Sequence, residues 1–238
     1  RDLRMSRGLG DVYKRQVVNG VMSFAEMEAM MYKIEGEDLY LIGTSEHSMI
    51  GKFKGQIVDE KSLPITMTSY SPCFRKEVGS HGIEERGVYR VHQFEKQEMV
   101  VLCKPEDSMD WYNKMWSYTV EFFRSLDVPV RTLECCSGDL ADLKVKSCDV
   151  EAWSPRQKKY FEVGSCSTLG DAQARRLGIR TKGENGTYLV HTLNNTVLAS
   201  PRGLIAFLEN NVNEDGSVNI PVAVSYTHLR AHETCADL

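Results

Sequence analysis

Two runs of strict alternation, residues 71–77 (SPCFRKE) and 90–98 (RVHQFEKQE), constrain this chain more than any other stretch. With the two-residue period of a strand, Ser71, Cys73, Arg75 and Glu77 share one face of the first run. Arg90, His92, Phe94, Lys96 and Glu98 share one face of the second. Between them, Gly79 to Gly87 holds three glycines among charges and reads as a connecting loop. Paired as antiparallel neighbours, the runs gather an arginine, two glutamates and an aromatic ring on one surface. Buried charges need partners, so such a face either stays solvated with ordinary cross-strand ion pairs or is built around a ligand.

The chain has 238 residues, 42% of them hydrophobic, enough to bury the core of one sizeable domain. No uninterrupted apolar run reaches the length of a membrane span and no signal-peptide pattern is present, so the default reading is a cytoplasmic protein with no membrane partner. The cysteines at 73, 103, 135, 136, 148, 166 and 235 form an odd set without CxxC spacing, which points to reduced, packed thiols rather than disulfides or zinc. A formal charge of −4 argues against a broadly basic nucleic-acid-binding surface, so any RNA contact must be local.

Both ends differ from the rest. Residues 1–16, with DVYKRQ, and residues 223–238, with VSYTHLRAHETCADL, resemble translated sequencing-adapter read-through and are set apart from the fold as non-native. The alternative is a pair of disordered tails. The informative chain is then 17–222. It begins with a cap at Ser23 and a short amphipathic helix whose Met27, Met30 and Met31 read as packing. An apolar strand (DLYLIG) then runs into Thr44, Ser45 and Glu46 and a helix to Phe53; on residues alone this is a capping Thr with Glu in the first helical turn. After the alternating runs, Pro105 opens a helix with Met109, Trp111, Tyr112, Met115, Trp116, Thr119, Phe122, Phe123 and Leu126 on an apolar face, read as core and assigned no cofactor.

Strands are expected at 129–134, 149–153 and 159–165, the last carrying FEVGSCS and followed by a helix, DAQARRLGI. Residues 181–187 (TKGENGT) read as a surface turn. A final strand, YLVHTLNNTVLA, leads to a helix with Ser200 as cap, Pro201 first, and Leu204, Ile205, Phe207 and Leu208 on its buried side. Arg202 then sits at the positive end of a helix, where a cation is disfavoured unless an anion binds beside it.

Phe74-Arg75-x-Glu77, a charged glycine-bearing loop and RVHQFEKQE together resemble motif 2 of the class II aminoacyl-tRNA synthetases, and more narrowly of the seryl-tRNA synthetases in their archaeal and eukaryotic form. Residues 44–46, 74–98, 162–176 and 194–202 resemble four motifs of that family in the right order, with the helix and strand of motif 1 and the amino-terminal tRNA-binding arm missing. The resemblance implies an α+β fold, a partial class II catalytic domain with a mostly antiparallel sheet flanked by helices; strands followed by helices over this length agree. It implies ATP and Mg²⁺, with Arg75 on the α-phosphate, Lys76, Glu77 and Val91 among the ATP contacts, Phe94 stacked on adenine, Glu162, Val163, Gly164 and Ser165 along the nucleotide, and Arg202 on the terminal phosphate. Arg75 and Arg202 are the implied catalytic residues, and Glu162 and Ser165 the metal ligands. Gly164 departs from the family's usual Ser.

For L-serine the resemblance implies Thr44, Ser45, Glu46, Glu98 and Thr196. The activity it implies is serine–tRNA ligation: seryl-adenylate formed from serine and ATP, then transfer to the 3′ end of tRNA(Ser), by a homodimer when full-length. Positioning and charge stabilisation carry such chemistry without a side-chain nucleophile. Two other readings stand beside it: a synthetase-like ligase charging a carrier other than tRNA, and a non-catalytic synthetase-derived RNA-binding module.

Overall fold

The computed structural model describes residues 10–77, 87–184 and 186–225. The loop expected between the alternating runs lies outside these residues except for Gly87, as do residues 1–9 and 226–238 of the set-apart ends and Cys235. In chain order, β1 (Val12–Lys14) pairs antiparallel with β2 (Leu39–Leu41), with α1 (Arg15–Val21) and α2 (Phe24–Met30) between them. Part of the set-apart first sixteen residues is therefore in contact with the body. Ser23 caps α2 as expected, in a reciprocal box: its Oγ accepts from Glu26 N and its N donates to Glu26 Oε2. Met27 and Met31 are fully buried.

There follow α3 (Glu46–Gly51), β3 (Ile57–Asp59), β4 (Ile65–Phe74), β5 (Gln93–Cys103), α4 (Ser108–Ser125), β6 (Val130–Glu134), β7 (Lys146–Ser154) and β8 (Lys159–Thr168). The chain then makes α5 (Ala172–Leu177), β9 (Arg180–Gly183), β10 (Gly186–Leu189), β11 (His191–Ala199) and α6 (Ser200–Asn211). The main sheet has six strands in the order β4-β5-β11-β8-β7-β6, every neighbouring pair antiparallel. With helices packed on it, this is the expected α+β architecture.

Alternation along β5 explains the layering. Val100 and Leu102 join the core that α3 and α5 cover, whereas Val101 and Cys103 join the core under α4. On α4 the buried positions are Ser108, Tyr112, Met115, Thr119, Val120 and Phe123, a face at three- and four-residue spacing widened by Val120, and Met109 is exposed rather than part of that face. By the same period Phe94, Lys96 and Glu98 continue the face of Val100 and Leu102, so the charged half of the strand lies on the α3 and α5 side of the sheet.

Four expectations are corrected. The alternating runs are shorter as strands: β4 ends at Phe74 and β5 begins at Gln93, so Arg75, Glu77, Arg90 and His92 lie beyond them, with Arg75 N still donating to the His92 carbonyl at 2.9 Å and left-handed backbone at Glu77 (φ 50) and Gly87 (φ 74). Residues 181–187 are no free turn but most of a hairpin, β9 with β10, in a second sheet ordered β10-β9-β3. Its sequence lacks alternation because Thr181 is the residue of β9 that is buried, its hydroxyl donating to the carbonyl of Val58. Helix α6 turns Gly203 and Ala206 to the sheet and leaves Leu204 and Leu208 exposed; at Gly203 a Cβ would lie 2.2 Å from Leu198 Cδ1, so a larger residue there would have to displace the Leu198 side chain. Its N-cap is Ala199, while the Ser200 hydroxyl accepts from the N–H of Glu95 instead. Among the described residues no helix is long and apolar enough to cross a membrane.

Candidate active site

The sheet face bearing Lys96 and Glu98 opens into a cavity of about 400 Å³. A β-bulge shapes its floor. Strand period would place Glu162 and Ser165 on opposite faces, but the β7–β8 register shifts between Val150 and Glu151, pairing Val150 with Gly164 and Glu151 with Glu162. Val163 and Gly164 then both turn to the α4 side, and Glu162 and Ser165 both line the cavity. Gly164 is required there: a Cβ would lie 2.7 Å from the carbonyl oxygen of Thr196 and 3.1 Å from Thr119 Cγ2.

At one end stand two arginines. Arg75 Nε donates to the carbonyl of Gly43 at 3.1 Å, and its guanidinium carbon lies 5.5 Å from the centroid of Phe94. Arg202 Nη1 is 2.9 Å from Glu162 Oε2 and 3.3 Å from the Glu162 carbonyl, with the guanidinium 4.7 Å over Tyr89. Glu162 thus supplies the anion that an arginine at the start of α6 calls for. Glu77 pairs with Arg90 at 2.8 Å. Val91 completes this wall. Asp149, opposite Ser165 in the β7–β8 register, has its carboxyl pushed up by burial and then by the charge of Glu162, against the hydrogen bond from Ser165.

The other end is more deeply buried. Glu46, in the first turn of α3, accepts from Gln173 Nε2 on Oε1 at 2.6 Å and from Asn194 Nδ2 on Oε2 at 2.5 Å. Its own N–H donates to Thr44 Oγ1 at 3.3 Å. The expected capping Thr is thus corrected: the N-cap of α3 is Ser45, without a side-chain cap bond, and Thr44, one residue before it, is the acceptor, while Thr44 and Glu46 both line the cavity. Burial, and then the charge of Glu98, push the Glu46 carboxyl above its ordinary range. Lys96 Nζ is spent on Glu98, 2.5 Å from Oε2, and Thr196 Oγ1 donates to the same oxygen at 3.1 Å. His47, fully buried and without a hydrogen-bond partner for either ring nitrogen among the described residues, is driven down to about 3 by burial first and then by Lys96 and Arg75. It is neutral at physiological pH.

Two expected site residues do not reach the cavity. Lys76 turns outward, Nζ donating to the carbonyl of Glu28 at 2.9 Å. Ser45 is fully buried at the N-cap of α3. The other residues expected for ATP, metal and serine line one continuous space.

The family model for the tRNA synthetase class II core domain (G, H, P, S and T) matches residues 30–211, most of the chain. The chain belongs to that family. A serine–tRNA ligase of Thermococcus sibiricus is 46% identical over 213 residues, 89% of this chain and 47% of that protein. A crystal structure of seryl-tRNA synthetase from Pyrococcus horikoshii complexed with ATP has a TM-score of 0.88 at 43% identity, covering 91% of this chain and 49% of its own. A cytoplasmic serine–tRNA ligase from Naegleria fowleri in complex with AMP has a TM-score of 0.84 at 35% identity, covering 91% of this chain and 52% of that one. The chain spans about half the length of the curated relatives it matches.

Within this class II core several groups escaped the sequence reading. Lys96 was placed on the right face, but its pairing with Glu98 two residues on requires a bent lysine that period alone does not reveal. Gln173 lies 127 residues from Glu46 and Asn194 lies 148, so no local pattern links them. Asp149 could have been found as the carboxylate cross-strand from Ser165, had the bulge been known.

Proposed function

We propose that this cavity activates L-serine with ATP to seryl-adenylate and that the whole protein passes the seryl group to the 3′ end of tRNA(Ser). The observation that carries this reading is the polarity of the cavity: a buried carboxylate, Glu46, held by neutral donors at one end, and two arginines at the other. A buried carboxylate without a cation is complementary to an ammonium, and arginine forks are complementary to phosphates. The ATP and AMP complexes of similar proteins support the nucleotide assignment. In this account Arg75 follows charge developing on the α-phosphate as the serine carboxylate attacks the α-phosphorus and pyrophosphate departs. Arg202 leaves Glu162 for the terminal phosphate, Phe94 stacks on adenine, and Glu77 and the Val91 backbone meet the adenosine. Thr44, Glu46, Glu98 and Thr196 hold serine.

Among the described residues no group of three or more His, Cys, Asp or Glu side chains could hold a metal ion by itself. Mg²⁺ binds through one or two protein oxygens and completes its shell with nucleotide phosphates and water. Glu162 and Ser165 are the proposed protein ligands, and the ion would neutralise phosphate charge. When full-length, the proposed form is a cytoplasmic homodimer. ATP–pyrophosphate exchange across a panel of amino acids, with tRNA charging as the second readout, tests the proposal. Exchange dependent on serine is expected; exchange without charging of tRNA(Ser) would favour a different carrier, and no exchange with any amino acid would leave a non-catalytic module.

A further inference from the structure

Gln173 and Thr192 lie outside the cavity and are both fully buried. They form a directed chain that ends on Glu46. The Thr192 hydroxyl donates to Gln173 Oε1 at 2.6 Å, and Gln173 Nε2 donates to Glu46 Oε1 at 2.6 Å and to the carbonyl of Val21 at 2.9 Å. The two acceptors, the Glu46 carboxylate and the Val21 carbonyl, fix which end of the amide faces the carboxylate, and the Thr192 hydroxyl, which could donate or accept, completes that orientation by donating to Oε1. We propose that Thr192 and Gln173 are positioning residues that keep Glu46 oriented and ionised without lending it a cation, so that recognition of the substrate ammonium is set from α5 and β11, behind the site.

The charge arithmetic supports this. A carboxylate offers about four lone-pair sites. Gln173 and Asn194 occupy one on each oxygen of Glu46 with neutral donors, leaving the others for an ammonium and the negative charge uncompensated. Had a lysine taken the place of Gln173, Glu46 would arrive already neutralised, as Glu98 does through Lys96. The groups facing Glu46 divide accordingly. On β5, Glu98 raises its pKa and Lys96 opposes that rise; Gln173 on α5 and Asn194 on β11 also lower it, and His47 beside it on α3 is neutral. Burial works against ionisation, and the amide donors are the largest opposing influence.

The inference rests on the proposed ammonium site, and its test separates the two. The Glu46 side-chain carboxyl is titrated by carbon-13 NMR in the 238-residue chain and in Gln173→Leu and Thr192→Val, while L-serine and ATP binding are measured by calorimetry across pH. Gln173→Leu is expected to move the Glu46 midpoint up, and Thr192→Val, nearly isosteric and so retaining the fold, to move it up less, because Val21 still holds the amide. Serine affinity at neutral pH should fall about tenfold in Gln173→Leu, one charge-assisted hydrogen bond, and recover as pH rises past the new midpoint, with ATP affinity unchanged. A general packing defect would not recover with pH. An unchanged Glu46 midpoint in the variants overturns the proposal. Should Gln173→Leu fail to fold, the Thr192→Val midpoint decides alone. A shifted midpoint with no serine binding by the parent chain at any pH would uphold the positioning chain and overturn the serine reading.

Discussion

The two ends of the cavity solve the problem of buried charge differently. At the arginine end the charges pair with one another across strand and helix: Arg202 with Glu162, and Glu77 with Arg90. Glu162 is 42% exposed, so that pair can open at small cost and release an arginine to an incoming phosphate. At the Glu46 end the charges are almost wholly buried and each is tied down by short hydrogen bonds that need not break when a ligand arrives. One end is held ready by exchangeable ion pairs, the other is pre-organised by neutral amides on Glu46 and by a hydroxyl and the buried Lys96 on Glu98. In the proposed reaction, transition-state charge would be met at the first and the substrate ammonium selected at the second.

Substitutions should separate these roles, and the largest effect is expected at the arginine end. Arg75→Ala should lower the rate of pyrophosphate exchange by about 10²–10³, by analogy with the loss of one pre-organised donor to developing charge. Exchange near the parental rate would remove Arg75 from the chemistry. At the other end, Thr196→Val keeps the shape but deletes the hydroxyl that bonds Glu98. Serine activation should fall about tenfold and the gap between serine and alanine should narrow, because alanine never used the lost bond. The ratio of serine to threonine, governed by room for a methyl group, should stay nearly constant. Exchange kinetics for the three amino acids decide it, and an unchanged serine-to-alanine ratio would assign the hydroxyl contact elsewhere.

Glu162→Gln should have a smaller effect and one of a different kind. It removes the charge of the proposed metal ligand and of the partner of Arg202, so the magnesium requirement should rise several-fold while serine affinity holds. A magnesium titration superposing on that of the parent would leave Glu162 as the resting partner of Arg202 alone. The smallest effect is expected behind the Glu46 end, at His47. Below about 6.5 the unfolded chain binds a proton there that the folded chain refuses until about 3, so stability is lost as pH falls through that window. In His47→Leu the slope of unfolding free energy against pH should be shallower by up to about 1.4 kcal/mol per pH unit. Glu46 and Asp149, whose raised pKa values act with the opposite sign, remain in both proteins and largely cancel in the difference. Equal slopes in denaturant titrations at several pH values would show that His47 is not held neutral.

The same contrast governs what could be read from sequence. At the arginine end the signals are local: a cation at a helix start and an alternating charged strand. Arg202 and Arg75 could be picked from their immediate neighbours, whereas Glu162 was reached only through the family resemblance. Period-two reasoning nevertheless puts Glu162 and Ser165 on opposite faces, and only the bulge at Val163 and Gly164 unites them. At the Glu46 end the residue itself was legible but its environment was not, because Gln173, Thr192 and Asn194 are distant in the chain and look like ordinary polar residues of a helix and a strand. Alternation marked the end of β4 and the start of β5, and β6, β7, β8 and β11 were read as strands with shifted bounds, whereas the first half of β4 went unread and β9 with the start of β10 was lost in a stretch rich in Gly, Asn and charge.

The division of labour is tested most directly by steady-state pyrophosphate exchange of Arg75→Ala and Glu46→Gln side by side, in the full-length protein, with serine and ATP varied separately. Arg75→Ala should lower kcat while the serine KM changes little. Glu46→Gln, which keeps the shape and removes the charge, should raise the serine KM and leave the ATP KM in place. If both substitutions move the same parameter by the same factor, the two ends do not have separate roles and the account fails.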